Sequence, residues 1–248
     1  MLLKAAINGG RLPSDIATVP LTPAQIAAAG ADALAAGATV VHAHARTESG
    51  DQTIAPEHVA AMVRAFRAVV PDGQIGTTTG LWTCSGHTER MRLIADWPAD
   101  ALPDFASVAF CEEGAAEAAE LVLGRGMVLE SAVWSMDDVP ALLASPTLHD
   151  NVRILIEPED DDPDVAVAAC REMAAAIRSA GVEAPILYHG FDQTAWPVLV
   201  AAIEDGCELR IGFEDGLTLP DGRVVSGNRE LIEATLELVR AAGVPARS

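Results

Sequence analysis

The sequence predicts an α/β fold, a single (β/α)8 TIM barrel spanning residues 1–248, on three observations. Short apolar runs alternate with longer alanine-rich amphipathic runs, the pattern of parallel strands joined by crossover helices. Eight such units occur in 248 residues, and a closed barrel, which typically runs to ~250 residues, accommodates eight better than an open doubly wound sheet does. No Pro/Ser-rich linker or low-complexity tract interrupts the series.

In chain order, strands are expected at 4–9, 39–46, 75–79, 105–110, 127–134, 153–157, 185–189 and 208–213. Each is a short apolar run rich in β-branched residues or closed by turn residues. The helices between them are expected to begin near Pro23, Pro56, Thr88, Gly114, Asp137, Pro163, Thr194 and Asn228. Several of these positions carry the Ser, Thr, Asp, Asn or Pro signals of a first turn. Gly30, Gly126, Gly181, Gly206 and Gly243 are expected near helix exits, where a left-handed residue suits the turn. The acidic stretch Glu157-Pro158-Glu159-Asp160-Asp161-Asp162 reads as a solvated loop after the sixth strand.

Half of the residues are apolar and 4% are aromatic, a composition too hydrophobic for disorder. The formal net charge of −20 argues against a nucleic-acid partner, because a binder needs clustered Lys and Arg to displace phosphate counterions. No apolar run reaches the ~20 residues of a membrane span, and the N-terminus lacks a signal-peptide pattern, so a cytoplasmic protein without a membrane partner is expected. Cys84, Cys111, Cys170 and Cys207 are scattered and form no CxxC pair; neither a disulfide framework nor a cysteine zinc knuckle is indicated.

In such a barrel the chemistry lies at the C-terminal ends of the strands, and here those ends are polar. Val41-His42-Ala43-His44-Ala45-Arg46 is the strongest feature: side chains two apart on a strand face the same way, so both imidazoles point at one spot, a metal-chelating arrangement. A lone strand histidine is more often a satisfied core residue; two at this spacing favour a metal. Glu214, ending the eighth strand beside the first, is the best third ligand. Arg210 shares its face across Gly212, and Asp215 follows. Arg210 also fits a structural ion pair, and Asp215 a turn or capping residue. Asn8, Thr77 to Thr79, Ser107, Glu130, Glu157 and His189 close other strands, whereas His58, His87 and His149 read as surface residues. Lys4, the only lysine, begins the first strand at the opposite face, so an imine mechanism is excluded. Amidohydrolases carry HxH on the first barrel strand rather than the second, and no GxGxxG or GxxxxGK[ST] motif occurs.

Leu21-Thr22-Pro23-Ala24-Gln25-Ile26 and the HxHxR run, with Ala6-Ile7-Asn8-Gly9-Gly10, Thr78-Thr79-Gly80, His189-Gly190 and Arg210-Ile211-Gly212-Phe213-Glu214-Asp215, resemble the β-keto acid cleavage enzymes over about residues 4 to 240. The resemblance implies a zinc-dependent barrel that exchanges acyl groups between a β-keto acid and acetyl-CoA, giving acetoacetate and a new acyl-CoA, in a homo-oligomer, usually a tetramer. It implies His42, His44 and Glu214 as metal ligands, Arg210 and Asp215 as the acid/base pair, Thr79, Gly80 and Ser107 as holders of the carboxylate and keto oxygens, and Glu130 as support for the site. The chain departs from the family at Ala109, where an Asn is frequent, at Leu81, where a second Gly is, and in lacking a longer tail after Gly243. Arg46 and Arg210 are expected to converge with the metal on the mouth and bind the anionic acid, favouring a small neutral or cationic tail over a second carboxylate. Two other readings remain at this stage: a CoA-independent metal-dependent lyase or hydrolase of a small carboxylate, and a non-catalytic metal-containing barrel that binds a small acid.

Overall fold

A computed structural model describes residues 1–243 of the chain. In order, its elements are β1 (Leu3–Ala6), α1 (Pro23–Ala36), β2 (Val40–His42), α2 (Pro56–Val69), β3 (Ile75–Thr78), α3 (His87–Ala95), β4 (Phe105–Ala109), α4 (Ala115–Gly124), β5 (Val128–Val133), α5 (Val139–Leu143), β6 (Asn151–Ile156), α6 (Pro163–Ser179), β7 (Ile186–Tyr188), α7 (Ala195–Glu204), β8 (Leu209–Ile211) and α8 (Asn228–Ala241). All eight strands are parallel, in the order β7-β6-β5-β4-β3-β2-β1-β8. A single parallel bridge from Leu187 to Glu208 joins β7 to β8 at the seam of the barrel. No helix among the described residues is long and apolar enough to cross a membrane.

The helices start where their chemistry directs. Thr22 caps α1 in a reciprocal box with Gln25, ahead of Pro23. Asp162, the last of the acidic stretch, accepts from Asp164 and Val165 N–H and caps α6. Gly30 is not at a helix exit: it lies inside α1 facing the Phe66 ring of α2, and the left-handed exit is Gly37. The main core fills the layer between strands and helices, with Ile7, Val41, Ile75, Phe66, Ile26 and Ile232 fully or nearly buried. Inside the barrel a smaller apolar cluster of Ala109, Ala132, Leu155 and Leu187 occupies the β4 to β7 side.

Most strands are shorter at their C-terminal ends than the sequence suggests; beyond several of them single backbone bonds continue to the neighbour, as from Phe110 N–H to Ala132 C=O at 2.8 Å, and at two ends an asparagine side chain takes over the pairing. After β2, the Asn8 carboxamide accepts from His44 N–H at 2.8 Å and donates to His44 C=O at 2.9 Å, holding His44 as a neighbouring strand would. After β8, Asn228 accepts from Phe213 N–H at 2.8 Å and donates to Ile7 C=O at 3.0 Å. Gly212 lets β8 pass against the Ala6 backbone, where any side chain would collide.

Candidate metal centre and catalytic site

His42 and His44 turn their Nε2 atoms toward each other, 3.0 Å apart and almost fully buried. Glu214 approaches from the far side of β1, its Oε1 3.5 Å from His44 Nε2 and its Oε2 3.8 Å from His42 Nε2. Gly9, at φ 46°, leaves the space the Glu214 side chain fills. Burial drives the His42 imidazole well below its ordinary pKa and lowers that of His44, so both rings are neutral and carry lone pairs. Burial alone would raise the Glu214 carboxyl, but the Arg210 guanidinium against it outweighs that and holds it far below the usual carboxylate range. The Gln52 carboxamide oxygen accepts from His44 Nδ1, which leaves Nε2 free to ligate.

These three residues offer ligand atoms all within 4.8 Å of one another, and Glu214 Oε2 is buried with no hydrogen-bond partner. Two facing imidazole nitrogens and an unmatched carboxylate oxygen suit a cation. Around a tetrahedral ion with bonds of about 2.0–2.1 Å, two ligand nitrogens stand roughly 3.3 Å apart, close to the separation seen. The residues therefore fit a divalent metal with an open coordination position.

Beside this cluster, Arg210 Nη2 reaches Glu214 Oε1 at 2.6 Å and Asp215 Oδ1 at 3.0 Å, and Nε donates to Asp215 at 3.1 Å. His189 Nε2 lies 2.6 Å from Asp215 Oδ1 and its Nδ1 3.3 Å from Glu157 Oε1. Burial and Arg210 push the His189 ring down, yet Asp215 and Glu157 outweigh them and raise it. The cluster thus alternates sign, with the Glu157 and Glu214 carboxylates and the Arg210 guanidinium all facing one cavity.

A cavity of about 420 Å³ opens over these residues. His42, His44, Glu214, Arg210 and Ser107 line it, as the strand ends implied, along with Glu157 and His189. Three expected substrate contacts, Thr79, Gly80 and Arg46, do not, nor does Glu130, the expected support. Thr79 spends its hydroxyl on Ser107 C=O at 2.7 Å, and Thr78 faces the cavity instead, because Gly76 pairs with His42 and sets the inward parity of β3. Gly80 donates its N–H to Thr78 Oγ1 and stacks under the Trp82 ring. Arg46 turns back to the carbonyls of Gly9, Arg11 and Gly50, since the chain folds over at its bridge with Gln52. Glu130 sits low in the barrel, fully buried against Lys4 Nζ at 2.5 Å and Arg153. Asp215 stands behind Arg210 and His189, 1% exposed, rather than at the mouth.

Loop residues that periodicity leaves unmarked complete the lining: Gly10, Arg11, Asp15, Gln52, Trp82, Glu159, Phe191 and Asp192, with Trp134 just past β5. Trp82 and Trp134 pack with ring centroids 6.1 Å apart. Trp134 donates to Glu157 at 3.0 Å and Trp82 to Gln52 at 3.3 Å, so both indole N–H groups are held. Arg11 is matched by Asp192, leaving Asp15 and Glu159 as surplus negative charge at the rim.

Fold and site together define a (β/α)8 barrel carrying a His-His-Glu cluster of metal-binding type at its C-terminal mouth. The chain belongs to the beta-keto acid cleavage enzyme family, whose model matches residues 1–248. It is 26% identical over 266 residues to the 3-keto-5-aminohexanoate cleavage enzyme of Acetoanaerobium sticklandii, covering 99% of this chain and 93% of that one. It is 24% identical to the enzyme of the same name from Fusobacterium nucleatum subsp. nucleatum, over 98% of this chain and 92% of the other. Among solved structures it is similar in fold to ObcA in the apo form, with a TM-score of 0.76 at 18% identity over 91% of this chain. A ternary complex of ObcA with a C4-CoA adduct and oxalate superposes with a TM-score of 0.73 at 17% identity, again over 91% of this chain. This chain spans 62% and 64% of those two ObcA chains.

Proposed function

We propose that this protein is a zinc-dependent enzyme that transfers acyl groups between a β-keto acid and acetyl-CoA, working as a single-domain barrel in a cytoplasmic homo-oligomer, a tetramer as in its family. The observation that carries the reading is the buried His42, His44 and Glu214 cluster beside Arg210, facing one cavity in a chain of this family. The names of the two curated relatives point to a β-keto acid substrate, and the C4-CoA adduct in ObcA supports a CoA thioester as the second.

A zinc ion held by the three residues would polarise the keto oxygen and acidify the neighbouring CH₂. Arg210 holds the acid's carboxylate, with Ser107 and Thr78 on the opposite wall. The His189 ring, which lines the cavity, passes the methylene proton to Asp215 Oδ1, 2.6 Å from its Nε2 and held by Arg210. The resulting carbanion attacks the acetyl carbonyl of acetyl-CoA, and the CoA thiolate leaves. That thiolate adds to the original keto carbonyl, the bond to the former methylene carbon breaks, and Asp215 returns its proton to give acetoacetate and the new acyl-CoA. At the rim, Asp15 and Glu159 repel a second carboxylate, while the Trp82 and Trp134 faces suit a small neutral or cationic tail.

The test is elemental analysis of the purified protein and of His44→Ala, with kcat/KM for β-keto acids of neutral, cationic and dicarboxylic tail, each with and without acetyl-CoA. About one zinc per chain, lost in His44→Ala, and turnover that needs acetyl-CoA are expected. Turnover without acetyl-CoA would replace the reading with a lyase or hydrolase. Zinc and acid binding with no turnover would leave a binding protein. Preference for the dicarboxylic acid would defeat the rim argument.

A further inference from the structure

A second groove of about 520 Å³ runs along the N-terminal half of α7 and the hairpin-like loop after β8, walled by Trp196, Pro197, Val200, Thr218, Leu219 and Pro220. Asp192 lines both this groove and the cavity over the His-His-Glu cluster. Its backbone is the only one outside glycine at positive φ (45°) among the described residues, a conformation that needs the surroundings to hold it. Those surroundings are the catalytic loop itself. Asp192 N–H donates to Asp215 C=O at 2.6 Å. The Asp192 carboxylate takes Arg11, which also donates to Phe213 C=O at 2.9 Å and Glu214 C=O at 3.3 Å. The wall between groove and cavity is thus pinned to both Glu214 and Asp215.

We propose that this groove seats the pantetheine arm of the acyl-thioester co-substrate and leads the thioester past Asp192 to the cavity; the proposal rests on the CoA-dependent reading above. The chemistry of the walls selects an uncharged, mostly aliphatic chain. Trp196 has its indole N–H on Thr218 C=O at 2.8 Å and so offers the groove a ring face. Pro197 and Pro220 have no N–H, and the Val200 side chain, 39% exposed, adds an apolar wall. Gln193, whose amide donates to Asp161 C=O at 2.8 Å, keeps its carbonyl and a second N–H for a ligand amide. No arginine or lysine lines the groove, and Arg223 nearby is matched by Glu230 at 2.5 Å. Nothing there recognises phosphate, so the nucleotide end of the co-substrate stays in solvent.

The proposal predicts a graded response to co-substrate length and to a charge placed in the groove. For the parent enzyme, acetyl-pantetheine has kcat/KM within about threefold of acetyl-CoA, and acetyl-N-acetylcysteamine, which lacks most of the arm, falls at least about tenfold below. Val200→Glu and Val200→Lys each raise KM for acetyl-CoA and acetyl-pantetheine about tenfold or more, because either charge is stranded against an apolar chain. The truncated thioester changes less than threefold, and zinc content and the KM of the β-keto acid stay the same. Binding of pantetheine by titration calorimetry to the parent and to both variants accompanies the kinetics. An unchanged acetyl-CoA KM in both variants would overturn the proposal, as would a shift in the β-keto acid KM instead. So would a large gain of acetyl-CoA over acetyl-pantetheine, or tighter acetyl-CoA binding by Val200→Lys, since either places the phosphates in the groove. If the parent shows no acetyl-CoA turnover, the reading of the reaction fails. Pantetheine binding weakened by both variants then still supports the groove, and absent or insensitive binding overturns it.

Discussion

Glu130→Gln is expected to destabilise the protein by about 3–5 kcal/mol while leaving the metal centre loaded. The carboxylate accepts from Lys4 Nζ at 2.5 Å and from Arg153, with the Lys4 and Glu130 side chains both 0% exposed. Removing one partner of a buried pair costs about 3–5 kcal/mol, because the other charge is left without compensation. Arg153 keeps Glu208 at 2.5 Å, so the stranded charge is Lys4. An independent bound comes from its titration: at worst Lys4 gives up its proton, and deprotonating an ordinary lysine at neutral pH costs roughly 5 kcal/mol. The two figures agree. For a chain of this size each kcal/mol is worth about 2–4 °C, so the melting temperature should fall by roughly 6–20 °C. Burial already lowers the Lys4 pKa in the parent, against the raising effect of Glu130, and losing Glu130 lowers it further. With fewer protons bound folded than unfolded, the variant gains stability as pH rises toward the unfolded lysine pKa. Guanidinium unfolding at pH 7 and pH 9, with zinc analysis of the folded protein, measures both effects. A variant within 1 kcal/mol of the parent at pH 7, or a deficit that grows toward pH 9, would refute the reasoning. Lost substrate affinity at unchanged stability would return Glu130 to the substrate.

Asp215→Asn should keep zinc and fold yet lose about 10²–10⁴-fold in kcat, because the amide preserves the Arg210 contact but accepts no proton; stopped or continuous assay of acetoacetate release reads it, and turnover within threefold of the parent removes Asp215 from that role. Gly9→Ala should lose most of its bound zinc and about 1–3 kcal/mol of stability, since the residue sits at φ 46° and its Cβ would occupy the Glu214 side chain's space. Full zinc at an unchanged melting temperature would contradict that.

The eight-unit alternation and the convergence of His42, His44 and Glu214 were legible because period-two alternation and strand adjacency follow from chain geometry alone. What the sequence hid was depth and parity. Thr78 rather than Thr79 faces the cavity because of the offset between β2 and β3, which no local pattern encodes. Glu130 points inward as its strand position implies, but the stagger of β5 against its neighbours puts it below the mouth. Arg46 continues the 42, 44, 46 alternation only on paper, because the chain has already left β2 and bends back toward Gln52. Arg11, Asp15, Trp82 and Asp192 come from loops without periodicity, where closeness is set by the barrel's closure.

That closure is uneven around the ring. The ladder from β8 through β1 to β2 is continuous and carries the residues that position His42, His44 and Glu214. Between β7 and β8 one bridge stands, and across it His189 meets Asp215 and Asp192 N–H meets Asp215 C=O. The seam therefore runs beside the His189–Asp215 contact and away from the two histidines. A parting along that line would take His189 from Asp215 while His42, His44 and Glu214 stayed on one unbroken ladder.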